Sequence, residues 1–454
     1  MISLASLVLT SIAAASTGPL RIGDELIERI DALAREAIEK EGVPGLSIAV
    51  GRDGELLFAR GWGYADAKQG TPASADTIYA IGSLTRQFTA VSILQLAEAG
   101  KLTLDDPLSK WLPDFPAQGH AITLRQLLSN TSGLPGYSAL AAAHGSKVDC
   151  HLEREELFGL FEKVPFEFTP GAGFSFNNTG YLLLSMVVAK AGGEDFTDYV
   201  RTRLLQPLEL ERTRFLPHAE RPTGFAEDCK ELSDERELEI PMAGPSAGST
   251  QSLGSSAKDL FRWQSALNDR QLIGEASTTL MRTPARLADG TPTGHGFATA
   301  IEETDFAQVL SHTGGIGGFR VRLAHSVEPR LTVVVLANCS TAPVERLEQA
   351  ITRAALGLLP AQTADLPVAP EEVAALVGSY QIATQRVSVF EKESKIWFEY
   401  PGQPAFALLR QGRRAFVSSI DPNWRITFQG DGDGPATSFE IVREGLVSVG
   451  KRME

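Results

Sequence analysis

The feature that most constrains this chain is that its strand-like segments lie far apart in the sequence. Near the amino end, GLSIAVGRDGELLFARGWGYAD (residues 45–66) alternates in hydropathy and turns at Asp53-Gly54, a dipeptide typical of tight hairpins. Four further strand patterns lie between Gly294 and Cys339, ending in the apolar run LTVVVLANC. Helical and loop patterns fill the sequence between these two sets. The sequence therefore predicts one antiparallel sheet completed by amino- and carboxyl-terminal segments, with a helical insertion beside it.

A second unit is predicted after a linker. The segment PAQTADLPVAP (360–370) is typical of a domain boundary. Residues 371–454 then read as short alternating strands without helices, a pattern typical of a small β-barrel, with Trp397 and Trp424 expected in its core. The expected divisions of the chain are a signal peptide over 1–18, a first domain over 20–359, the linker over 360–370 and a C-terminal β-barrel-like domain over 371–454.

The amino terminus resembles an export signal. Residues 1–18, MISLASLVLTSIAAASTG, form an apolar run that is too short to span a bilayer and ends in small residues, with cleavage expected near 13–15. Nothing later in the sequence approaches a transmembrane length, so no stable membrane insertion is expected. We therefore expect a periplasmic or secreted protein. In that oxidising setting Cys150 and Cys229 could pair, whereas Cys339 is expected as a buried core thiol.

The composition of the chain narrows the classes of partner and cofactor that can be expected. The formal net charge of -14 argues against nucleic acid or an anionic membrane surface as a partner. The 7 histidines are scattered, and no spacing typical of metal ligands occurs. Neither a metal nor an organic cofactor is therefore expected.

The stretch Tyr79–Ala90, YAIGSLTRQFTA, has the pattern of a tight turn that leads into a helix beginning at Ser83. Ser83 and Arg86 are spaced i and i+3, so both side chains lie on one helix face. This is the spacing of an S-x-x-K active site, in which the lysine removes the serine proton. Arg86 keeps its charge and has no lone pair to accept a proton. A serine here is also an ordinary helix N-cap, so other segments are needed to argue for catalysis.

Two later segments carry side chains suited to the same kind of site. In PGAGFSFNNTGYLLL (170–184), Asn178 can direct an amide into a pocket, and Phe176 precedes it by two residues. In LSHTGGIGGFRVRL (310–323), His312 and Thr313 end a strand, and the glycines that follow allow a substrate backbone to approach.

Together these segments resemble the serine β-lactamase, D-alanyl-D-alanine peptidase and esterase superfamily, above all its class C-like, penicillin-binding-protein-like branch. That superfamily carries S-x-x-K, Y-x-N and K-T-G or H-T-G in this order, and the stretches ITLRQLLSNTSGLPGY and GSSAKDLFRW match it as well. The resemblance spans Ile27 to Leu358. It implies an α+β fold, in which a β-lactamase-like antiparallel sheet is flanked by helices and an all-helical subdomain. The tail resembles the small β-barrel domain often fused behind such hydrolases.

The resemblance also implies roles for individual residues. Ser83 takes the place of the nucleophile, and the backbone N–H groups of Ser83 and Gly315 take that of the oxyanion hole. Asn178 and Thr313 occupy substrate-holding positions, and Tyr137 is expected at the mouth of the pocket.

Two positions depart from the superfamily pattern. The lysine of S-x-x-K is Arg86, and the tyrosine of Y-x-N is Phe176, which keeps the ring but lacks the phenolic oxygen. Both side chains are expected to line the substrate pocket. They stand where the superfamily has the two groups that handle the proton of the serine.

These departures leave two functions open. In the first, the protein is an impaired serine hydrolase that transfers an acyl group from an amide, ester or β-lactam to water through Ser83, with His312 as the general base. In the second, it is an inactive pseudoenzyme that binds a peptide, a peptidoglycan fragment or an acyl ligand, with Arg86 paired to a carboxylate. Either function requires a small-molecule, peptide or peptidoglycan-like ligand.

Overall fold

The computed structural model describes residues 22–136, 140, 154–176, 178–216, 223–227, 253–358, 365–382, 385–400, 405–419, 424–430, 432, 434–443 and 446–453. The predictions for the signal peptide, for Tyr137 and for pairing of Cys150 with Cys229 lie outside these residues.

Helices make up much of the chain that the structure describes. They are α1 (Asp24–Glu41), α2 (Arg86–Glu98), α3 (Leu108–Trp111), α4 (Leu124–Leu128), α5 (Arg154–Lys163), α6 (Thr179–Gly192), α7 (Phe196–Val200), α8 (Ala257–Asn268), α9 (Glu275–Arg282), α10 (Val344–Ala355) and α11 (Pro370–Leu376). A 3₁₀ turn covers Gly82–Thr85, and a π-helical turn covers Arg201–Leu205.

The strands of the first unit are β1 (Gly45–Arg52), β2 (Glu55–Asp66), β3 (Thr71–Pro72), β4 (Tyr79–Ala80), β5 (Arg214–Phe215), β6 (Leu253–Ser255), β7 (Ala300–Glu303), β8 (Gln308–Ile316), β9 (Phe319–Ser326) and β10 (Leu331–Ala337). Those of the tail are β11 (Gly378–Ile382), β12 (Gln385–Lys392), β13 (Lys395–Glu399), β14 (Phe406–Gly412), β15 (Ala415–Ser418), β16 (Arg425–Gln429), β17 (Ser438–Arg443) and β18 (Leu446–Arg452).

The main sheet has seven strands in the order β3-β2-β1-β10-β9-β8-β7. Neighbouring strands are antiparallel, and β1 pairs with β10 in the register Leu46↔Ala337. The turn between β1 and β2 uses the left-handed conformation at Asp53 (φ 52°) and Gly54 (φ 82°), as the dipeptide predicts. The structure confirms the predicted sheet, completed from both ends of the unit.

Helices cover both faces of this sheet, which explains why β1 and β10 are apolar almost without interruption. On one face, α1 and α10 enclose a core that includes Ile48, Val335 and the buried Cys339, so the prediction of a core thiol is confirmed. On the other face, α2, α6 and α8 share a larger core with the remaining helices of the insertion. The Ser83 turn lies on this second face, against β8.

The tail forms a closed barrel in the order β11 to β18, with β18 returning to pair with β11. The fold class is therefore the predicted one. The helix α11, which precedes the first strand, was not predicted. It begins with proline at its first turn followed by two glutamates, and it adds Val373 and Leu376 to the barrel core.

One expectation for the barrel was wrong. Trp424 is buried in the barrel core, but Trp397 is only half-buried and lies on the outer surface. The alternation of β13 explains this, because Ile396 and Phe398 on either side of Trp397 point inward. Across the described residues, no helix has both the length and the apolarity needed to cross a lipid bilayer.

Candidate active site

Ser83 lies in the 3₁₀ turn Gly82–Thr85, and the α-helix begins three residues after it, at Arg86. The sequence predicted a helix from Ser83 onwards, so the turn is the difference. Gly82 has φ +50°, and a Cβ atom there would lie 2.7 Å from the carbonyl oxygen of Gly315. Glycine is therefore required at this position both for its conformation and for the close approach of strand β8.

Strand β8 packs its backbone directly against the Ser83 turn. A Cβ atom on Gly314 would lie 2.0 Å from the carbonyl oxygen of Ile81, whereas one on Gly315 would meet nothing nearer than 3.8 Å. The backbone of Gly315 therefore lies beside the turn that carries Ser83. The two residues predicted to form an oxyanion hole are brought together by contacts between main chains.

The Arg86 side chain is buried, with 4% of its surface exposed. Its Nε donates to Oδ1 of Asn178 at 2.9 Å, its Nη2 donates to the same oxygen, and its Nη1 donates to Oδ1 of Asn130 at 3.5 Å. The guanidinium carbon lies 3.8 Å from the centre of the Phe176 ring and 5.0 Å from that of Tyr181. Arg86 thus ties together the segments that carry Asn130, Phe176 and Asn178.

This arrangement bears on the predicted substrate-holding residues. The Oδ1 atom of Asn178, which precedes α6, accepts hydrogen bonds from Arg86. Phe176 is 42% exposed, and its ring covers the guanidinium. The structure therefore brings Arg86, Phe176 and Asn178 together as one packed group.

His312 lies on β8 with 5% of its surface exposed. Its Nδ1 is 2.8 Å from the carbonyl oxygen of Ala298. Because a carbonyl only accepts, Nδ1 carries the hydrogen and Nε2 carries the lone pair. Nε2 is buried and has no hydrogen-bond partner among the described residues.

The charge state of His312 follows from its surroundings. Burial lowers the pKa of His312 to about 4 and outweighs the carbonyl of Ala298, which raises it. The positive charges of Arg86 and Arg322 lower the pKa further, while the nearby backbone of Ser83, which does not meet hydrogen-bond distance and angle at Nε2, raises it. The imidazole is therefore neutral near pH 7 and lies beside the Ser83 backbone.

The Thr313 hydroxyl is hydrogen-bonded to a buried group of ion pairs. Arg322 donates to Thr313 Oγ1 at 3.1 Å and pairs with Glu302 at 2.9 Å and Glu348 at 3.2 Å. Since a guanidinium only donates, the Thr313 hydroxyl accepts there, and its own hydrogen is directed to another acceptor. Thr313 also lines the cavity described next.

Sequence reasoning missed His295, which lies 5% exposed beside this group. Neither of its ring nitrogens has a hydrogen-bond partner among the described residues. Its ring centre is 5.4 Å from that of Phe174 and 6.1 Å from that of Phe176. Burial, aided by the charges of His312 and Arg86, lowers the pKa of His295 to about 3. The only local signal is a histidine between two glycines, in TGHGF.

His295 and His312 face one small cavity of about 10 Å³ that is partly open to solvent. The cavity is lined by Asn130, Phe176, His295, Gly296, Ala298, Thr299, Ala300, His312 and Thr313. Asn130 belongs to the stretch SNTSG, which supported the resemblance without being assigned a role. Nowhere in the described parts of the chain do three or more His, Cys, Asp or Glu side chains group as metal ligands would.

Comparison with known proteins places this geometry in context. The sequence model of the Beta-lactamase family matches residues 30–358. A penicillin-binding protein of Bacillus subtilis (strain 168) is 28% identical over 443 residues, which cover 90% of this chain and 94% of that protein. A D-aminopeptidase of Gluconobacter oxydans (strain 621H) is 27% identical, covering 79% of this chain and 67% of its own length.

A solved structure agrees over nearly the whole chain. The octameric penicillin-binding protein homologue from Pyrococcus abyssi superposes with a TM-score of 0.65 at 22% identity, covering 93% of this chain and 99% of that one. The likeness extends beyond the sheet and its helices into the tail, and it supports the fold.

Proposed function

Because the chain belongs to the Beta-lactamase family, we propose that it is a serine hydrolase that transfers an acyl group to water from an amide, ester or β-lactam through Ser83. The observation that carries the proposal is the neutral imidazole of His312, whose Nε2 lone pair has no partner among the described residues and which lies beside the Ser83 backbone. It is a proton acceptor in a site where Arg86 and Phe176 offer none.

Acylation then proceeds in two proton transfers. Ser83 Oγ attacks the carbonyl carbon of the substrate while His312 Nε2 takes the hydroxyl proton. The N–H groups of Ser83 and Gly315 stabilise the negative oxygen of the tetrahedral intermediate. As the intermediate collapses, the leaving group departs with the proton held by His312, and the acyl group remains on Ser83.

The low pKa of His312 makes the reaction slow. A base with a pKa near 4 is neutral at pH 7, but it has little driving force for removing a serine proton. General base catalysis contributes about 10²–10⁴-fold in well-matched sites, and we expect only part of that factor here. Impaired turnover is therefore part of the proposal.

Substrate class and location are proposed on the same footing. The penicillin-binding protein and D-aminopeptidase relatives favour a peptide or peptidoglycan-like substrate. The hydroxyl of Thr313, which accepts from Arg322, has a hydrogen to offer to a carbonyl or carboxylate oxygen of such a substrate. The apolar run at residues 1–18 supports export to the periplasm or beyond, where these substrates occur.

A second candidate is the inactive pseudoenzyme that binds a peptide, peptidoglycan fragment or acyl ligand. It is favoured by one observation: Arg86 and Phe176 stand where the superfamily handles the serine proton, and Arg86 is packed against Asn178 and Asn130. In that case the glycine-built turn and cavity hold a ligand without reacting.

Intact-protein mass separates the two. The protein is incubated with a fluorophosphonate and, separately, with a penicillin, alongside Ser83→Ala and His312→Phe. We expect a covalent adduct on the wild type, none on Ser83→Ala, and slower labelling of His312→Phe. A folded wild type that takes up neither reagent contradicts the hydrolase and leaves the binding function, for which thermal stabilisation by peptidoglycan fragments is the next measurement.

A further inference from the structure

We propose that the cavity between His295 and His312 holds the water that hydrolyses the acyl-enzyme, and that His295 fixes this water in place. The inference rests on the proposed hydrolase function and assigns its second half-reaction, the release of the acyl group from Ser83.

Three buried polar nitrogens beside this cavity lack hydrogen-bond partners among the described residues. Both ring nitrogens of His295 and Nε2 of His312 are buried without a hydrogen bond to any described residue, and both rings line the same cavity. Buried polar atoms are nearly always paired, because leaving one unpaired forfeits its hydration. Three such atoms around one cavity indicate a polar guest.

These nitrogens determine whether that guest must donate or accept hydrogen bonds. Nε2 of His312 only accepts, so the guest must carry a hydrogen. A neutral His295 offers one N–H and one lone pair, so a guest that bonds its N–H must also accept. A water molecule can donate to Nε2 of His312 and accept from the N–H of His295 at once, which supplies two of the two to four polar partners that a buried water requires.

Charge disfavours the alternatives. The buried guanidinium of Arg86 acts on both histidines and opposes an ammonium group in the cavity. A carboxylate would satisfy the N–H of His295, but it brings no hydrogen for Nε2 of His312. A neutral molecule that donates and accepts fits better than either ion.

The chemical step then balances with water as the only added reactant. The water oxygen attacks the acyl carbonyl carbon while one of its hydrogens passes to Nε2 of His312. The tetrahedral intermediate collapses with cleavage of the carbon–oxygen bond to Ser83. The proton on Nε2 goes to Ser83 Oγ, a carboxylic acid leaves, and both Ser83 and His312 return to their starting states.

His295 is suited to orient this water because its own ring is fixed. The rings of Phe174 and Phe176 lie against the imidazole. Thr293 Oγ1 donates to the carbonyl oxygen of His295, and the Gly296 N–H donates to the carbonyl oxygen of Thr299. A second hydrogen bond from His295 restricts a water that Nε2 alone would leave free to rotate. Misplacing a reacting group by about 1 Å can cost about 10²-fold in rate.

The test separates acylation from deacylation in His295→Phe, which removes both ring nitrogens at similar size. With p-nitrophenyl acetate, the burst of p-nitrophenolate reports acylation, the steady phase reports deacylation, and intact mass reports acetyl-Ser83. We expect the steady rate to fall about 10- to 10²-fold with the burst rate nearly unchanged and acetyl-Ser83 accumulating. His295→Gln, which keeps a donor and an acceptor, should recover part of the steady rate.

His325→Phe is the matched control. His325 is as buried as His295, but its Nδ1 is 2.9 Å from Thr332 Oγ1 and it lies outside the cavity. We expect this variant to keep the ratio of burst to steady rate even if its melting temperature falls. Equal loss of both phases in His295→Phe, or an unchanged steady rate, overturns the assignment of the water. If the wild type forms no acetyl-Ser83 at all, the hydrolase proposal fails first and this one fails with it.

Discussion

The contacts on the two sides of Ser83 differ in kind, main chain on one side and side chains on the other. On one side, Gly82, Gly314 and Gly315 bring main chain against main chain, and almost any side chain at the first two positions would collide. On the other side, Arg86, Phe176 and Asn178 meet through side chains alone. The backbone side keeps the glycine of the superfamily's H-T-G, while the side-chain side has Arg86 and Phe176 where the superfamily has lysine and tyrosine.

The difference teaches which part of a catalytic site can be changed without loss of the fold. A backbone contact requires glycine at fixed positions, so its replacement costs packing as well as chemistry. A side-chain group can be rebuilt if the new members satisfy one another. Arg86 does so by donating to two amide oxygens and lying against an aromatic ring. Under the proposed function, the site keeps its main-chain donors for an oxyanion while His312 replaces the superfamily's proton acceptor.

The largest effect is expected from Gly314→Ala. A Cβ atom 2.0 Å from the carbonyl oxygen of Ile81 forces β8 away from the Ser83 turn. Loss of an aligned oxyanion donor costs about 10²–10³-fold, so fluorophosphonate labelling of Ser83 should fall at least that far. The control is Gly315→Ala, whose Cβ atom has 3.8 Å of clearance and whose N–H is retained. Equal labelling of the two variants would contradict the backbone half of the comparison.

The next largest effect should come from restoring the side chains that the superfamily has at positions 86 and 176. Arg86→Lys combined with Phe176→Tyr restores the superfamily pair, and we expect labelling of Ser83 to accelerate by about 10²-fold, within the range of general base catalysis. Each single variant should accelerate labelling of Ser83 much less. Arg86→Lys alone lacks the phenol, and Phe176→Tyr alone places the phenol beside a guanidinium that cannot accept a proton. If each single variant is as fast as the double, the two positions do not act as a unit.

Acid should destabilise the protein through its buried histidines. Burial lowers the pKa of His295, His312 and His325 to about 3, 4 and 3, against 6.5 for an exposed imidazole. Below pH 6.5 the unfolded chain binds protons that the folded chain does not bind. The contribution of these histidines to the free energy of unfolding is therefore fully present above pH 6.5 and is lost progressively as the pH falls toward 4. Each histidine should contribute roughly 2 kcal/mol to the loss between pH 7 and pH 5.

Urea unfolding at the two pH values measures this loss. Carboxyl groups titrate in the same range, so the informative quantity is the difference between the wild type and His295→Phe. The variant should lose about 2 kcal/mol less on acidification. An identical loss in both proteins would mean that His295 is protonated in the folded state.

The smallest effect concerns the ring over Arg86. Phe176→Leu removes a cation–π contact at 3.8 Å but keeps an apolar side chain at a half-exposed position. We expect a loss of about 1 kcal/mol in the free energy of unfolding, the usual size of such contacts. Phe174→Leu is the comparison, since Phe174 contacts His295 rather than Arg86. An unchanged free energy of unfolding in Phe176→Leu would show that the guanidinium does not depend on its aromatic cover.

The sheet and the barrel could be predicted because their signals are local and repeat. Alternation marked the strands, and Asp53-Gly54 marked the hairpin. The helix α11 was not predicted because its seven residues carry little periodicity. The outward position of Trp397 was not predicted because a tryptophan in a strand does not reveal which face it lies on until the register is known.

The site divides in the same way. Motif spacing predicted where Ser83, His312 and Gly315 stand relative to one another in the family pattern. It could not predict that Arg86 would take the oxygen of Asn178, because that contact joins residues 92 positions apart. His295 had no signal beyond its glycine neighbours. What sets it apart is a pair of buried ring nitrogens without a hydrogen-bond partner among the described residues, a property visible only in three dimensions.

The pairing of β1 with β10 also governs how the protein can be made. Leu46 leaves the ribosome almost three hundred residues before its partner Ala337. Until then the β1–β2 hairpin has no central neighbour, and the Ser83 turn has no β8 to pack against. Synthesis from the amino end cannot complete the site piece by piece, because non-local strands must wait for each other. A nascent chain stalled before β10 should therefore be readily cleaved by protease and unreactive at Ser83, whereas one that has released β10 should be protected.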